Sequence, residues 1–369
     1  MRTKEYISGL QFCAILYAAI GGIYIILHNM FIELSGRASG VAELLSTILL
    51  VPLLFWILYI GSQMPGKTIF EIIETTTRPC IARILAFLYS ILLIFLFLLW
   101  LNYFTTLINI FLLQRTPPWI INFSTILLAA LIAGSGAEVC GRMAIILYLV
   151  DNLIFHLGSL IVSVDQMELR NLFPIFIGQH SLSKGIYFGL GAGSVGVLMA
   201  MIFIAFLKKP QKNYTLILSA NILSGIIFML AVASIYGILG VHEGTRIAFG
   251  SVNVIRLFKA GDFVQGLEIF TLLSYFAWAY YYLPILLVCA SRGILQIFNY
   301  KGSRINMVCI SLLIFVASFF IENYNKVLYY LEFFSTYIFL PFCIVVMIIV
   351  SISLWLWKKK INKRGVKEY

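Results

Sequence analysis

The sequence predicts an all-α integral membrane protein of ten transmembrane helices, arranged as a 5+5 inverted repeat. Three observations support this fold class. First, hydrophobic residues make up 62% of the 369 residues and charged residues only 11%. Second, the apolar residues fall in blocks of about 20, the length that crosses a bilayer as a helix. Third, glycines interrupt two of these blocks at corresponding positions. A soluble domain carries roughly 25% charged residues. The composition therefore excludes an ordinary soluble enzyme, and no hydrolytic triad, Walker loop or catalytic carboxylate pair is visible.

The apolar blocks define a single membrane domain over residues 1–369, with repeat one at 8–164 and repeat two at 185–357. The predicted spans are 8–32, 41–62, 84–113, 118–134, 143–164, 185–207, 213–240, 265–291, 305–321 and 333–357. The inward loop 63–83 and the outward loop 241–264 are among the longest, and each contains a segment with helical spacing of apolar residues. We expect each of these loops to form a short helix at the membrane surface.

The positive charges predict the orientation of the chain. If the N-terminus is inside, the inward segments hold 18 of the 26 Lys and Arg residues and the outward segments hold 8. This is the positive-inside asymmetry, so both termini are predicted to be cytoplasmic. The basic tail Lys358–Arg364 is expected to contact anionic lipid rather than nucleic acid.

Glycines mark the candidate ligand site. Helix 1 carries Gly21 and Gly22 near its middle, and helix 6 carries Gly191 and Gly193 among five glycines. Paired glycine-interrupted helices indicate broken helices 1 and 6 with a ligand site at the membrane midplane. The alternative is a stripe of small residues for close helix packing. The segment Gly191–Gly196 also matches G-x-G-x-x-G, but it lies inside an apolar span without the strand or acidic residue that a dinucleotide site needs.

Polar and aromatic residues of neighbouring helices complete the predicted pocket. Ser194 follows the glycines of helix 6, Trp100 and Tyr103 lie near the middle of helix 3, and Ser274 and Trp278 lie near the middle of helix 8. We predict no cofactor and no metal site. The six cysteines form no CxxC pair and no pair in an outward loop, so no structural disulfide is expected.

Asp151 is the candidate ion or proton site. It lies about ten residues into helix 5, near the midplane, where an acid is a functional hypothesis by default. A carboxylate there could bind a cation or a proton; the alternative is a hydrogen bond within the bundle. We predict structural roles for His156, and for Glu43 and Glu268, which lie near helix starts where the helix dipole favours an acid.

Four short segments carry a family resemblance. Gly66–Glu74 resembles a glycine-lysine-apolar-acidic surface helix, Gly136–Arg142 a Gly-x-Glu-Val-x-x-Arg junction, Arg170–Phe176 an Asn-Leu-Leu-Pro signature, and Val254–Phe263 the segment that enters helix 8. In this order they resemble the B subunits of spore germinant receptors, relatives of the amino acid–polyamine–organocation transporters. Gln265-Gly266 replaces an acidic-basic pair of that family, so no role is transferred to these two positions.

The resemblance implies a fold like that of the transporter LeuT, in the inner membrane of a bacterial endospore. It also implies a nutrient-sensing subunit that works with an A subunit and a lipid-anchored C subunit. We expect a small polar nutrient, such as an amino acid, to bind between helices 1, 3, 6 and 8. The alternatives are a proton- or Na⁺-coupled secondary transporter of the same fold and a scaffold subunit whose pocket is vestigial.

Overall fold

Apolar helices form almost all of the computed structural model, which describes residues 5–156, 164, 166–175, 180–256, 268–298, 303–321 and 323–363. Three parts of the predictions lie outside these residues: 157–163 of the predicted span 143–164, 257–264 of the outward loop 241–264, and 265–267 of the predicted span 265–291. So do the side chains of His156 and Glu268.

The helices follow the predicted order of spans and loops. They are α1 (Gly9–Ser35), α2 (Ser39–Leu49), α3 (Val51–Gln63), α4 (Ile69–Thr76), α5 (Pro79–Phe111), α6 (Pro118–Gly134), α7 (Ala137–Val150), α8 (Leu169–Leu172), α9 (Leu182–Phe203), α10 (Tyr214–Arg246), α11 (Gly250–Arg256), α12 (Glu268–Phe298), α13 (Ser303–Ser318), α14 (Tyr324–Tyr337) and α15 (Phe339–Lys363). A π-helical turn, Asp151–His156, continues α7.

Six apolar helical stretches in the described residues are long enough to cross a membrane, and a seventh is formed if the bent pair α6–α7 counts as one span. Two of the six contain more than one helix: Gly9–Gln63 contains α1, α2 and α3, and Tyr324–Ile361 contains α14 and most of α15. The helix α13 is shorter, with its apolar part at Ile305–Ser318. The multi-pass membrane class is confirmed, while the count of ten spans stays a prediction.

The helix predicted in the inward loop is present as α4. The Thr68 hydroxyl accepts a hydrogen bond from the Glu71 N–H at 3.1 Å, and the Glu71 carboxylate accepts one from the Thr68 N–H at 2.7 Å. This reciprocal capping box satisfies two backbone donors at the helix start. Four apolar residues of α4 are buried where it packs against α5 and α15: Ile69, Phe70, Ile72 and Ile73.

The structure does not confirm the predicted breaks in helices 1 and 6. Both α1 and α9 are continuous α-helices through their central glycines. The physical reason is close packing: a Cβ built on Gly22 would lie 2.8 Å from Tyr282, and one built on Gly191 would overlap the backbone carbonyl of Ser335. In this conformation the glycines let neighbouring groups approach the helices and do not unwind them.

The helix α1 lies at the centre of the bundle, and 19 of its 27 residues are buried. It packs most extensively against α9 and α10, and also against α7, α12 and α2. On the other side of the bundle, α12 packs along α5. This arrangement surrounds the middle of α1 with side chains from α5, α7 and α12.

Candidate ligand-binding site

The structure brings six of the ten predicted site residues together around the middle of α1. The indole Nε1 of Trp100 donates a hydrogen bond to the Gly22 carbonyl at 2.7 Å. The indole of Trp278 lies against Gly21, where it occupies the space that a side chain would need. Trp100 and Trp278 are both fully buried. Together with Ser274 and Asp151, these residues form what we call the central cluster.

Asp151 enters the central cluster from the π-helical turn after α7. Ser274 of α12 donates a hydrogen bond to its Oδ1, and the Tyr17 hydroxyl of α1 donates one to its Oδ2 at 3.3 Å. The same hydroxyl lies 3.1 Å from the Asn152 side-chain oxygen. The carboxyl group is completely buried. Asp151 therefore joins α1, α7 and α12 at one point.

Several polar atoms of α12 beside the central cluster have no partner among the described residues. They are Trp278 Nε1 and the hydroxyl oxygens of Tyr281 and Tyr282, all of them buried. Buried polar groups in native proteins are nearly always hydrogen-bonded, so unpaired ones call for an explanation. A polar ligand or an ion bound beside α12 would supply the missing partners.

The other predicted site residues face different neighbours. Gly191 lies against Ser335 of α14, and Gly193 lies against Leu50 and Tyr24. The Ser194 hydroxyl donates to the Gly191 carbonyl at 2.6 Å, within α9. The hydroxyl of Tyr103 lies 3.5 Å from that of Tyr275, in a separate aromatic group with Phe249 and Tyr324. Of the predicted residues of α9, Gly193 is therefore the one that reaches the neighbourhood of the central cluster, through Tyr24.

A groove of about 790 Å³ opens where α1 ends and α9 begins, at the end that the charge distribution predicts to be outside. It carries one basic side chain, Lys184, and one acidic side chain, Glu332, with the hydroxyl groups of Ser183 and Thr336. Neither charged side chain is in an ion pair within the described part of the chain. The remaining walls are mainly aromatic, and we call this feature the outer groove.

Aromatic rings in successive contact, three of the five pairs edge-to-face, connect the outer groove to the central cluster. Phe188 lines the groove, and the successive ring centroids from it to Trp278 are 5.1, 5.1, 5.4, 5.3 and 5.4 Å apart. We call these six residues the aromatic column: Phe188, Phe31, Tyr24, Phe228, Tyr17 and Trp278. All six are buried. The column is a continuous run of buried rings between the outer groove and the central cluster.

The opposite end of the bundle is held together by the residues before α1. The Ile7 N–H donates to the Phe206 carbonyl at 2.9 Å, and the Ile7 carbonyl accepts from the Lys208 N–H at 3.1 Å. The Glu5 carboxylate accepts from the Ala137 N–H at 3.1 Å and lies 3.9 Å from the Arg292 guanidinium. Three other segments of the chain, around Phe206–Lys208, Ala137 and Arg292, thus contact the residues before α1, while the outer groove is open.

Sequence reasoning named Trp278 but missed the other five residues of the aromatic column and the two charged side chains of the outer groove. A signal for part of the column was present: residues 17, 21, 24, 28 and 31 recur at the i, i+4, i+7 spacing of one helix face. The stripe contains Tyr17, Tyr24 and Phe31 together with a central glycine. Lys184 and Glu332 come from helices far apart in the sequence, and no local pattern places them together.

Comparison with known proteins agrees with the motifs. Residues 6–327 match the family model described as "Spore germination protein". Spore germination protein KB of Bacillus subtilis is 24% identical over 351 residues, which cover 91% of each chain. Spore germination protein GerQB of Bacillus cereus is 22% identical over 306 residues, 80% of this chain and 82% of that protein.

Solved transporter structures share the fold. MHP1, a nucleobase-cation-symport-1 family transporter, superposes with a TM-score of 0.62 over 89% of this chain and 75% of its own, at 14% identity. A Na⁺-coupled sialic acid symporter gives a TM-score of 0.65 over 86% of this chain and 75% of its own, at 11% identity. The architecture is therefore that of LeuT-fold transporters, and by the match over residues 6–327 the chain belongs to the spore germination protein family.

Proposed function

We propose that this protein is the membrane subunit of a spore germinant receptor. It binds a small zwitterionic nutrient, an amino acid, and the conformational change on binding passes to its partner subunits. Its relatives are spore germination proteins. The observation that carries the choice of ligand is the outer groove. Its charged side chains, Lys184 and Glu332, form no ion pair with another described residue, and hydroxyl groups and aromatic walls line the same groove.

The charges of the groove match an amino acid. The Lys184 ammonium can bind the α-carboxylate of the ligand and the Glu332 carboxylate its α-ammonium group, while the aromatic walls receive an apolar side chain. Hydrogen bonds to charged groups contribute more than neutral ones, about 1.5–3 kcal/mol each. The volume is larger than one amino acid requires but falls within the range of small-molecule sites.

The central cluster is the second part of the proposed site. The orphaned donors of α12 lie beside Gly21, Gly22, Trp100 and Asp151, where a ligand that had passed the aromatic column would find polar partners. In this proposal the column closes the path in the resting state. Movement of Tyr24 and Phe31 would then shift α1 against α9, since these rings fill the space between the two helices.

Membership in the spore germination protein family supports a receptor assembly. We propose that the subunit resides in the spore inner membrane with both termini cytoplasmic, in ten spans, and that it signals through A and C subunits. A two-state rearrangement of α1 and α9 needs no completed transport, because a ligand that prefers one state shifts the population toward it.

Binding to purified protein tests the proposed site. Amino acids that bind should raise the thermal unfolding midpoint of the wild type. We expect Lys184→Gln to weaken the binding of such an amino acid by about 10- to 100-fold, since one charge-assisted hydrogen bond is lost. Glu332→Gln should weaken binding similarly.

Ligand analogues separate the two charges. An amine that lacks the carboxylate should bind the wild type weakly and should bind Lys184→Gln with the same affinity as the wild type. A carboxylic acid that lacks the amine should bind Glu332→Gln with the same affinity as the wild type. Lys326→Gln is the matched control, because Lys326 is an exposed charge on the same helix as Glu332 and does not line the groove. Unchanged affinity in both groove variants would contradict the location, and a wild type that binds no amino acid would contradict the function.

A proton- or Na⁺-coupled transporter is the second candidate. It is favoured by the buried Asp151, which Ser274 and Tyr17 hold at the centre of a transporter fold. Uptake into liposomes distinguishes the two functions. A receptor subunit should bind ligand without concentrating it under a proton or Na⁺ gradient, whereas gradient-driven accumulation would favour the transporter.

A further inference from the structure

A buried acid–base pair lies outside the proposed ligand site, between α1 and α2. The His28 Nδ1 lies 2.9 Å from the Glu43 Oε1. The side chain of His28 is 4% exposed and that of Glu43 is 0% exposed. An isolated charge at such a position is very costly, so a buried carboxylate must be paired, neutralised or both.

The surroundings of the pair offer Glu43 little besides His28. The Glu43 Oε2 and the Ser39 hydroxyl, one turn earlier on α2, are both buried and without a hydrogen-bond partner among the described residues. An ionised carboxylate has about four lone-pair sites to satisfy, whereas a protonated one needs fewer donors. The orphaned oxygen therefore favours a pair that keeps a proton.

Among the residues that the structure describes, none on the helices packed around α2 forms an ion pair with Glu43 other than His28. Of the ionisable groups nearby, Tyr24 and Tyr236 are neutral phenols, Tyr59 of α3 is exposed, and Arg37 is directed to the Phe173 carbonyl at 2.6 Å. Glu33 of α1 is exposed. The helix α9 meets α2 through Gly185 and Gly189, which carry no side chain. Within the described part of the chain, His28 and Glu43 are therefore the charged pair buried in this region.

We propose that His28 and Glu43 form a proton-binding site that holds one proton in the folded protein over the physiological pH range. The site is tied to α9, because Ser46 donates to the Glu43 carbonyl at 2.8 Å and lies 2.7 Å from the Tyr24 hydroxyl, which donates to the Gly189 carbonyl at 2.9 Å. Loss of the proton leaves one uncompensated negative charge at the contact of α1, α2 and α10. Proton binding then stabilises the packing of these helices against α9.

The pH dependence of stability tests this proposal without any germinant, so it stands apart from the test of the proposed function. In the unfolded chain His28 loses its proton near pH 6.5 and Glu43 near pH 4.3. Above pH 6.5 the folded wild type holds one more proton than the unfolded chain in these two groups, so its stability falls as the pH rises. Above pH 6.5, neither the folded nor the unfolded Glu43→Gln variant holds this proton, so the stability of the variant does not depend on pH through this site. Below pH 6.5 only the unfolded variant gains a proton, so the variant loses stability as the pH falls.

The quantity to compare is the ratio of the unfolding constants of the wild type and Glu43→Gln at each pH. The unfolding constant of the wild type, divided by that of Glu43→Gln, should rise up to tenfold for each pH unit, or about 100-fold from pH 6 to pH 8. Glu138→Gln is the control, because Glu138 forms an exposed i,i+4 pair with Arg142, and its ratio should change little with pH. If Glu43→Gln does not fold, the double variant His28→Gln/Glu43→Gln, which keeps a hydrogen-bonding pair without an ionisable group, takes its place.

A purely structural hydrogen bond would give a ratio that is offset from unity but constant with pH, and this result would overturn the proposal. So would a ratio that depends on Na⁺ concentration at fixed pH, since the site would then bind a metal cation in place of a proton.

Discussion

The contact between α9 and α14 makes Gly191→Ala a sharp test of the packing. A Cβ built on Gly191 overlaps the Ser335 carbonyl, a backbone group of α14 that cannot rotate away. An added methyl in a well-packed core costs about 1–3 kcal/mol because backbone must shift. The helical preference of alanine over glycine returns at most about 1 kcal/mol. We expect a net loss of about 1–2 kcal/mol, seen as a lower thermal unfolding midpoint of the purified protein.

Gly134→Ala is the matched control, since a Cβ there meets no atom within 4 Å. A compatible Gly→Ala change stabilises by about 0.4–1 kcal/mol through the unfolded chain. The two variants are therefore predicted to move the midpoint in opposite directions. If Gly191→Ala were as stable as Gly134→Ala, the close approach of α9 to α14 would be wrong and the glycine would need another explanation, such as the predicted helix break.

Two further predictions concern charge and orientation. Asp151→Asn keeps the size and most hydrogen bonding of the side chain but deletes its charge. It should therefore shift the pH or cation dependence of the ligand response at near-normal protein levels. An unchanged dependence would leave Asp151 with a structural role only. For the orientation, single cysteines replace the exposed residues Arg170 and Lys360 in a background that lacks the exposed Cys80 and Cys309. A membrane-impermeant thiol reagent added from outside should label the cysteine at position 170 and leave the one at position 360 unlabelled. Equal labelling at both positions would contradict the predicted topology.

The sequence predicted the membrane class and the order of helices because hydropathy is a local property. Helix ends were predictable where a specific interaction defines them. Gly136, in the segment used for the family resemblance, has φ = +105° and precedes α7, where its backbone lies against the Glu5 carboxylate. Only glycine adopts such a conformation readily. The capping box of α4 was equally visible in the order Thr-x-x-Glu.

The site was predicted only in part, because its geometry depends on contacts between distant helices. Trp100, Trp278, Ser274 and Asp151 were named from their depth in the membrane. The structure places them near one another around α1, and their role in ligand binding stays a prediction. Glu43 was predicted to have a structural role at a helix start. The structure instead buries it completely beside His28, a partner 15 residues earlier on the neighbouring helix. Burial and partners of this kind follow from tertiary packing, and the hydropathy pattern does not contain them.

Tyr24 joins the two sites that we propose. Its ring is part of the aromatic column between Phe31 and Phe228, and its hydroxyl contacts both Ser46, next to the proton-binding pair, and the Gly189 carbonyl of α9. A ligand that displaces Tyr24 would therefore break its contact with Ser46, in the turn that follows Glu43. Coupling between two binding events is reciprocal in free energy. If both proposals hold, a ligand that displaces Tyr24 weakens proton binding at Glu43, and a rise in pH favours the ligand-bound arrangement by the same factor.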